Sequence, residues 1–268
     1  MYPILFKIGN FPVKSYWAFM ALGFLIGGII VYLETKNKNL DLHKARNLIL
    51  ITIISAFIGS RLSYVVLNFN SYQKDLLRIF QFWKGGFSWQ GGFIVAFLIT
   101  FFLVLKNNKE NLGKWCDCYV LGILIGHSIG RIGCFLNGCC YGITTNIPWA
   151  IKNPSLGDNL LRHPTQLYES LSYLLIFFLL IYYLQKTKLK NGSLFFIGVI
   201  LHSLARFIIE YLRYNEDFIY QGKMWFTTLS YAQLTALIII GISLFILLKI
   251  NCKKIILNNL LIAKKNPN

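Results

Sequence analysis

The sequence predicts an all-α polytopic membrane protein: one integral-membrane domain over residues 1–268, built as a bundle of about seven transmembrane helices. Three observations predict it. Hydrophobic residues make up 56% of the 268 and charged residues only 14%, where soluble domains run nearer 25% charged. Seven apolar runs each approach the ~20 residues needed to cross a hydrocarbon core. The lysines fall in short bursts between those runs: KNKNLDLHKAR, KNNKENLGK, KTKLK and KINCKK. Inside lipid the backbone must satisfy its own hydrogen bonds, so the runs are expected to be helices.

The first run, 16–33, follows a start (MYPILFKIGNFPVKSYWAFM) that lacks the basic region and small-residue cleavage site of a secretory signal. It therefore reads as a retained span. The second covers 47–68. The third, 91–105, is short and begins among glycines. The fourth is 115–137, and the fifth, 167–184, is entered through Pro164, which suits a first helical turn. The sixth and seventh are 193–212 and 231–248.

Orientation follows from the positive-inside rule. Connections 34–46, 106–114, 185–192 and the tail 249–268 hold 15 Lys and Arg in 50 residues, against 9 in the 84 residues of the other set. The denser set is expected in the cytoplasm, with the N-terminus outside and the C-terminus inside. The net charge of +17 is accounted for by these loops, and no nucleic-acid partner is expected. Six scattered cysteines do not form a disulfide framework.

Three arginines remain inside the spans: Arg61, Arg131 and Arg206. Each costs several kcal/mol in lipid unless paired or wetted, so each marks a candidate site. The topology expects all three in the outer halves of spans two, four and six. His202, Arg206, Glu210 and Arg213 share a helical face, as do His127, Arg131 and Cys134. An Arg206–Glu210 ion pair is the plain structural reading of those two residues. Gly126, Gly130 and Gly133 form a small-residue face for close packing. GGFSWQGG, at 85–92, brackets Gln90 with glycine pairs that can turn backbone N–H groups toward an anion. In RHPTQLYES, His163, Gln166 and Glu169 recur every three residues and can face one cavity, or simply cap a helix at the interface.

Together these residues describe an arginine-lined polar cavity toward the outer leaflet. Planar guanidiniums match phosphate oxygens, so a phospholipid headgroup suits the cavity. Passage of a small anion is the alternative, although LLIFFLLIYY and LIIIGISLFILL leave the inner halves of two spans almost wholly apolar.

Nearly the whole chain, from IGNFPVKSYWAFM to MWFTTLSYAQLT, resembles the bacterial phosphatidylglycerol–prolipoprotein diacylglyceryl transferase family. GRIGCFLNGCCYG is similar to its signature G-R-x-G-N-F-x-N-G-E-x-x-G at Gly130, Arg131, Gly133, Phe135, Asn137, Gly138 and Gly142. Gly59, Arg61 and Tyr64, the block WKGGFSWQGG, HPTQLYES and ARFIIEYLR also match. The resemblance implies seven spans in the orientation derived above. It implies transfer of the diacylglyceryl group of phosphatidylglycerol to the lipobox cysteine in a prolipoprotein signal peptide, with release of glycerol phosphate. The protein would sit in the bacterial cytoplasmic (inner) membrane with its active site toward the outer leaflet.

On that resemblance Arg131 and Arg206 hold the phosphate, and Glu210 orients Arg206 or handles a proton. Asn137 and Gly142 shape the headgroup site, with Arg61 and Gln233 in support. No cofactor is implied. Three departures stand out: Gln90 occupies the position of the family histidine, Cys134 and Cys139 replace the Asn and Glu of the signature, and His202 replaces a tyrosine. A branch of the family carries this cysteine-rich signature with the preceding histidine. His127, His163 and His202 remain as candidate bases, His127 and His202 ahead of the third. A catalytically silent lipid-binding relative is the other reading that Gln90 leaves open. For the cysteines, zinc held by His127, Cys134, Cys139 and Cys140 has suitable ligand types but an unusual spacing, and no metal is expected. A disulfide from Cys134 to Cys139 or Cys140, or plain apolar filler, are the other readings.

Overall fold

A computed structural model describes residues 1–9, 11–73, 75–82, 85–108, 111–184, 186–187, 189–214 and 229–265. Trp83 and Lys84 of the glycine block and most of the outer connection 213–230 lie outside the described residues. Seven helices appear where the apolar runs predict them: α1 (Ser15–Asn37), α2 (Leu42–Leu67), α3 (Trp89–Asn108), α4 (Leu112–Asn137), α5 (Thr165–Leu179), α6 (Ser193–Glu210) and α7 (Tyr231–Lys265). Six contain stretches long and apolar enough to cross a membrane; in the third, the apolar part is the shorter Gln90–Lys106.

Polar residues set several helix ends. Asp41 precedes α2 and accepts hydrogen bonds from the backbone N–H groups of His43 (2.9 Å) and Lys44 (3.1 Å), the usual work of an N-cap carboxylate. α5 runs on into one π turn, Leu180–Leu184. Two small antiparallel ribbons also occur, which the apolar runs did not announce. β1 (Ile4–Ile8) pairs with β2 (Phe11–Lys14), and β3 (Ile151–Lys152) with β4 (Leu161–Arg162).

The chain forms two compact units, Met1–Ile30 with Cys116–Asn268, and Val31–Trp115. In the first, one half of the α4–α5–α6 packing is an apolar core of Val120, Leu121, Leu124, Tyr173, Phe177, Leu180 and Leu194. At that end Asp117 of α4 is buried and accepts hydrogen bonds from the N–H groups of Gly192 (2.9 Å) and Phe195 (3.0 Å). It thereby serves two of the otherwise unpaired amides that begin α6. Further along, Ser128 of α4 and Ser170 of α5 each donate to the other's carbonyl, at 2.8 and 2.9 Å. The expected close packing along the glycine face is present: a Cβ on Gly23 of α1 would lie 2.6 Å from the carbonyl oxygen of Gly126. Only glycine permits backbones to approach so nearly.

In the second unit α2 packs along α3, with the Thr52 and Thr100 hydroxyls 2.7 Å apart. Arg61, on α2, is 3% exposed, and its guanidinium is spent on backbone. It donates to the carbonyls of Ile79 (2.9 Å), Arg78 (2.7 Å), Gly86 (3.0 Å), Gln81 (3.5 Å) and Gly85. Of the N–H groups expected to turn toward an anion at the first two glycines of GGFSWQGG, that of Gly85 is instead donated to the Phe82 carbonyl at 3.2 Å. Both glycines have left-handed φ, +82° and +81°, and both present carbonyls to Arg61. Gln90 is exposed at the start of α3. Arg61 thus organises the loop that precedes α3. Arg61→Ala leaves several carbonyls without their donor and is expected to cost on the order of 3 kcal/mol. Unfolding of the purified variant in detergent measures this, and a midpoint equal to wild type would contradict it.

Candidate active site

Four helix ends meet in the first unit: the C-terminal ends of α4 and α6 and the N-terminal ends of α5 and α7. Their polar residues build one network. Its centre is Glu169 in the second turn of α5, 1% exposed. Arg131 reaches it from α4, with Nε 2.7 Å from Oε2. Arg206 reaches it from α6, with Nη1 2.5 Å from Oε1. Arg213, just beyond α6, places Nη1 3.6 Å from the same oxygen. Arg206 also makes the expected i,i+4 pair, Nη2 to Oε2 of buried Glu210 at 2.8 Å.

Three guanidiniums thus face two carboxylates, leaving one positive charge in surroundings of low dielectric. Arg131 is held through Nε alone. Among the described residues its two terminal nitrogens make no hydrogen bond, so a forked pair of donors is left unspent. In the sequence Glu169 stands only as one of three evenly spaced polar residues, and Arg213 only as part of a helical face. Neither is marked there as a site residue, because helical spacing reports a shared face and not the partner across the bundle.

Several further candidates of the first unit lie around this network. Gln233 of α7 is buried, accepts from the N–H of Ser230 (2.9 Å) and donates to the Phe207 carbonyl (3.4 Å). Ser230 in turn donates to Glu210 at 3.3 Å, so Gln233 supports the carboxylate that holds Arg206. Gln166 donates to the Cys139 carbonyl at 2.6 Å and Thr165 to the Cys140 carbonyl at 2.9 Å. Both therefore grip the loop that leaves α4. Asn137 ends that helix, at the start of the loop that Gln166 and Thr165 grip.

Gly142 lies within a strand-like crossing. Its N–H donates to the His163 carbonyl (3.0 Å), and it bridges to Arg213. A Cβ there would sit 2.5 Å from the Leu212 carbonyl oxygen and 2.6 Å from the His163 Cβ, so glycine is needed for the approach itself. His163 is turned to the Tyr168 hydroxyl, 3.2 Å away, which also accepts from Trp149 at 2.7 Å.

The two other candidate histidines meet. His127 Nδ1 on α4 and His202 Nε2 on α6 are 3.2 Å apart. Both rings stack on Tyr173 of α5, at 4.6 and 4.4 Å between centroids. A hydrogen bond between two neutral imidazoles leaves one of them accepting and the other donating. The pair lies one turn before Arg131 on α4 and one turn before Arg206 on α6, beside the charged network. Arg61 and Gln90 belong to the second unit, as described above.

Comparison with known proteins bears on this arrangement. A family model described as prolipoprotein diacylglyceryl transferase matches residues 3–249. A phosphatidylglycerol–prolipoprotein diacylglyceryl transferase of Clostridium botulinum is 33% identical over 256 residues, covering 93% of this chain and 97% of that protein. The protein of the same name from Finegoldia magna is 33% identical over 221 residues, 82% of this chain and 86% of the relative. That of Thermotoga maritima is 32% identical over 256 residues, 91% and 84% respectively. With its apolar helices and bacterial relatives, this is a multi-pass bacterial membrane protein. The chain belongs to the prolipoprotein diacylglyceryl transferase family.

Proposed function

We propose that this protein transfers the diacylglyceryl group of phosphatidylglycerol to the lipobox cysteine of prolipoproteins, making a thioether and releasing glycerol phosphate. The observation that carries the reading is the charged network: three guanidiniums gathered on Glu169, with the Arg131 fork unspent. Such a site suits a phosphodiester in the ground state and, more strongly, the phosphate monoester that departs. Donors fixed where negative charge develops stabilise the transition state without reorganising.

The nucleophile comes from the substrate, so the protein must take a proton from a thiol of ordinary pKa about 8.5. The His127–His202 pair receives it, since Gln90 cannot. The sulfur attacks the glyceryl carbon, the carbon–oxygen bond breaks, and the electron pair leaves on the phosphate. Arg131 and Arg206 bind that phosphate, while Glu169, Glu210 and Gln233 position the two arginines. Gly142, His163 and Gln166 hold the loop that walls the site, and Asn137 ends the helix from which that loop starts. The protein acts from the bacterial cytoplasmic membrane with its active site toward the outer leaflet, a placement supported by the uneven distribution of lysine and arginine in the connections.

Membrane vesicles of defined sidedness containing phosphatidylglycerol, given a lipobox peptide from outside, test both parts. Right-side-out vesicles are expected to form the thioether peptide and release glycerol phosphate, and sealed inverted vesicles are not. Arg131→Ala is expected to lower the rate by about 10²-fold, as for loss of one oxyanion donor. No product from purified wild type, where a relative succeeds in the same assay, would sink the assignment. Product formed equally by inverted vesicles would overturn the leaflet.

A further inference from the structure

Beside the arginine network lies a group of side chains that the proposed mechanism leaves unused. Cys134, in the last turn of α4, and Cys139 and Cys140, in the loop after it, are free thiols. Their three sulfurs lie within 4.8 Å of one another. Adjacent residues ordinarily point their side chains apart. Here Cys140 adopts a left-handed φ of +64°, which non-glycine residues rarely take and which structure retains at a cost. The turn brings two neighbouring thiols round to meet the third.

The loop is also held from outside. Gln166 and Thr165 clamp the Cys139 and Cys140 carbonyls, and the Cys139 thiol lies 3.6 Å from the Cys134 carbonyl to which it donates. Support of this kind around potential ligands keeps their orientation fixed. Arg131 and Arg213 are close enough to Cys140 to interact with it electrostatically, so thiolates gathered there would be charge-compensated.

We propose that Cys134, Cys139 and Cys140 form a three-thiolate zinc site whose fourth position receives the thiol of the acceptor cysteine. Zinc–sulfur bonds of about 2.3 Å place ligating sulfurs about 4 Å apart, so the observed cluster needs only a small contraction. Three protein ligands with one open position is the pattern of catalytic zinc, whereas structural sites close the fourth. Cys134 is buried, whereas Cys139 and Cys140 are only half-buried. His127 is not a ligand in this site. It lies two turns back along α4 and is paired with His202.

The inference rests on the reading of the protein as a thiol-alkylating transferase and adds the device that makes the thiol acidic. As the lipobox sulfur binds zinc, its proton passes to the histidine pair. The bound thiolate then forms its bond to the glyceryl carbon, the carbon–oxygen bond to phosphate breaks, and the leaving phosphate carries the electron pair to Arg131. The thioether, a weaker ligand than a thiolate, leaves the metal. Nothing is oxidised or reduced.

The test begins without lipid. Protein purified in reducing buffer and stripped with a chelator is titrated with Cd2+, following thiolate-to-cadmium absorption in the ultraviolet. Wild type is expected to bind one equivalent. Cys134→Ser, Cys139→Ser and Cys140→Ser are each expected to weaken binding at least about 10-fold, and Cys116→Ser, outside the cluster, to leave it unchanged. Co2+-loaded protein is then given a lipobox peptide. The visible ligand-field bands are expected to shift with the cysteine peptide and not with its serine analogue.

Wild type that binds no more Cd2+ than the triple serine variant overturns the site, as does a disulfide between any two of the three in unreduced protein. Cobalt bands indifferent to the cysteine peptide overturn the open position. Because cadmium uptake is read without substrate, protein that binds it through three thiols yet makes no thioether supports the metal site and defeats the transferase reading separately.

Discussion

Glu169→Gln is expected to lower the transfer rate by about 10³-fold while the protein still inserts in the membrane. The substitution keeps the shape of the side chain and removes its charge. Arg206 then keeps only Glu210, Arg131 and Arg213 lose their carboxylate, and three guanidiniums that shared Glu169 repel one another. Breaking a buried ion-pair group by deleting one partner costs about 3–5 kcal/mol, since it strands charge in low dielectric. The rate loss comes from the Arg131 fork, which Glu169 aims through Nε. Loss of one or two oriented donors accounts for about 10² to 10³.

Glu169 touches no reacting atom in the proposed scheme, so it is a positioning residue, and two readouts separate that role from a merely structural one. Glu169→Asp, which restores the charge with a shorter reach, is expected to recover stability more fully than rate. The loss in Glu169→Gln is expected mainly in kcat, because the guanidiniums matter most as charge develops on the departing phosphate. A Gln variant with wild-type kcat and thermal midpoint would show that the three arginines need no common anchor.

The second large effect falls on the histidine pair. His202→Phe preserves a ring to stack on Tyr173 and removes the hydrogen bond to His127. Removal of a general base typically costs 10² to 10⁴, so about 10³ is expected here. Because the two imidazoles form one hydrogen-bonded unit, His127→Phe should cost a similar factor, and the double variant little more than either alone. Rates measured in a double-mutant cycle decide this. Simple multiplication of the two losses would mean that the histidines act independently, and an undiminished rate in both single variants would remove the pair from the mechanism.

The helices were legible in the sequence because lipid leaves the backbone little alternative: each apolar run of sufficient length had to hydrogen-bond to itself. Even the short third run came out as a helix, Trp89–Asn108, extended at both ends beyond its most apolar part. The ribbons β1–β2 and β3–β4 were not legible, since strands of two to five residues at an interface leave no periodicity to read. Arg206 with Glu210 could be read directly, being one turn apart on one helix.

Glu169 could not be read in the same way. Its partners lie 38, 37 and 44 residues away along the chain, and no local spacing encodes that meeting. Arg61 shows the opposite ambiguity. An arginine within a span looks the same in sequence whether it serves a ligand or the carbonyls of a neighbouring loop. Asp117 went unremarked inside a span that otherwise reads as apolar, because its partners are backbone amides 75 and 78 residues further on.

That aspartate has a mechanical consequence. From Asp117 to Arg131 along α4 is 14 residues, roughly 21 Å at 1.5 Å per residue. From Gly192, beneath α6, to Arg206 is also 14 residues. The two helices run in the same direction, are pinned together below by the Asp117 cap, and are pinned again above through the shared Glu169 carboxylate. They act as matched struts. Sliding one past the other by a single residue would strain both pins at once, so bilayer thinning or thickening must be absorbed by tilting the pair as a whole. The gap between the Arg131 and Arg206 guanidiniums is thereby insulated from the thickness of the membrane that supplies the lipid.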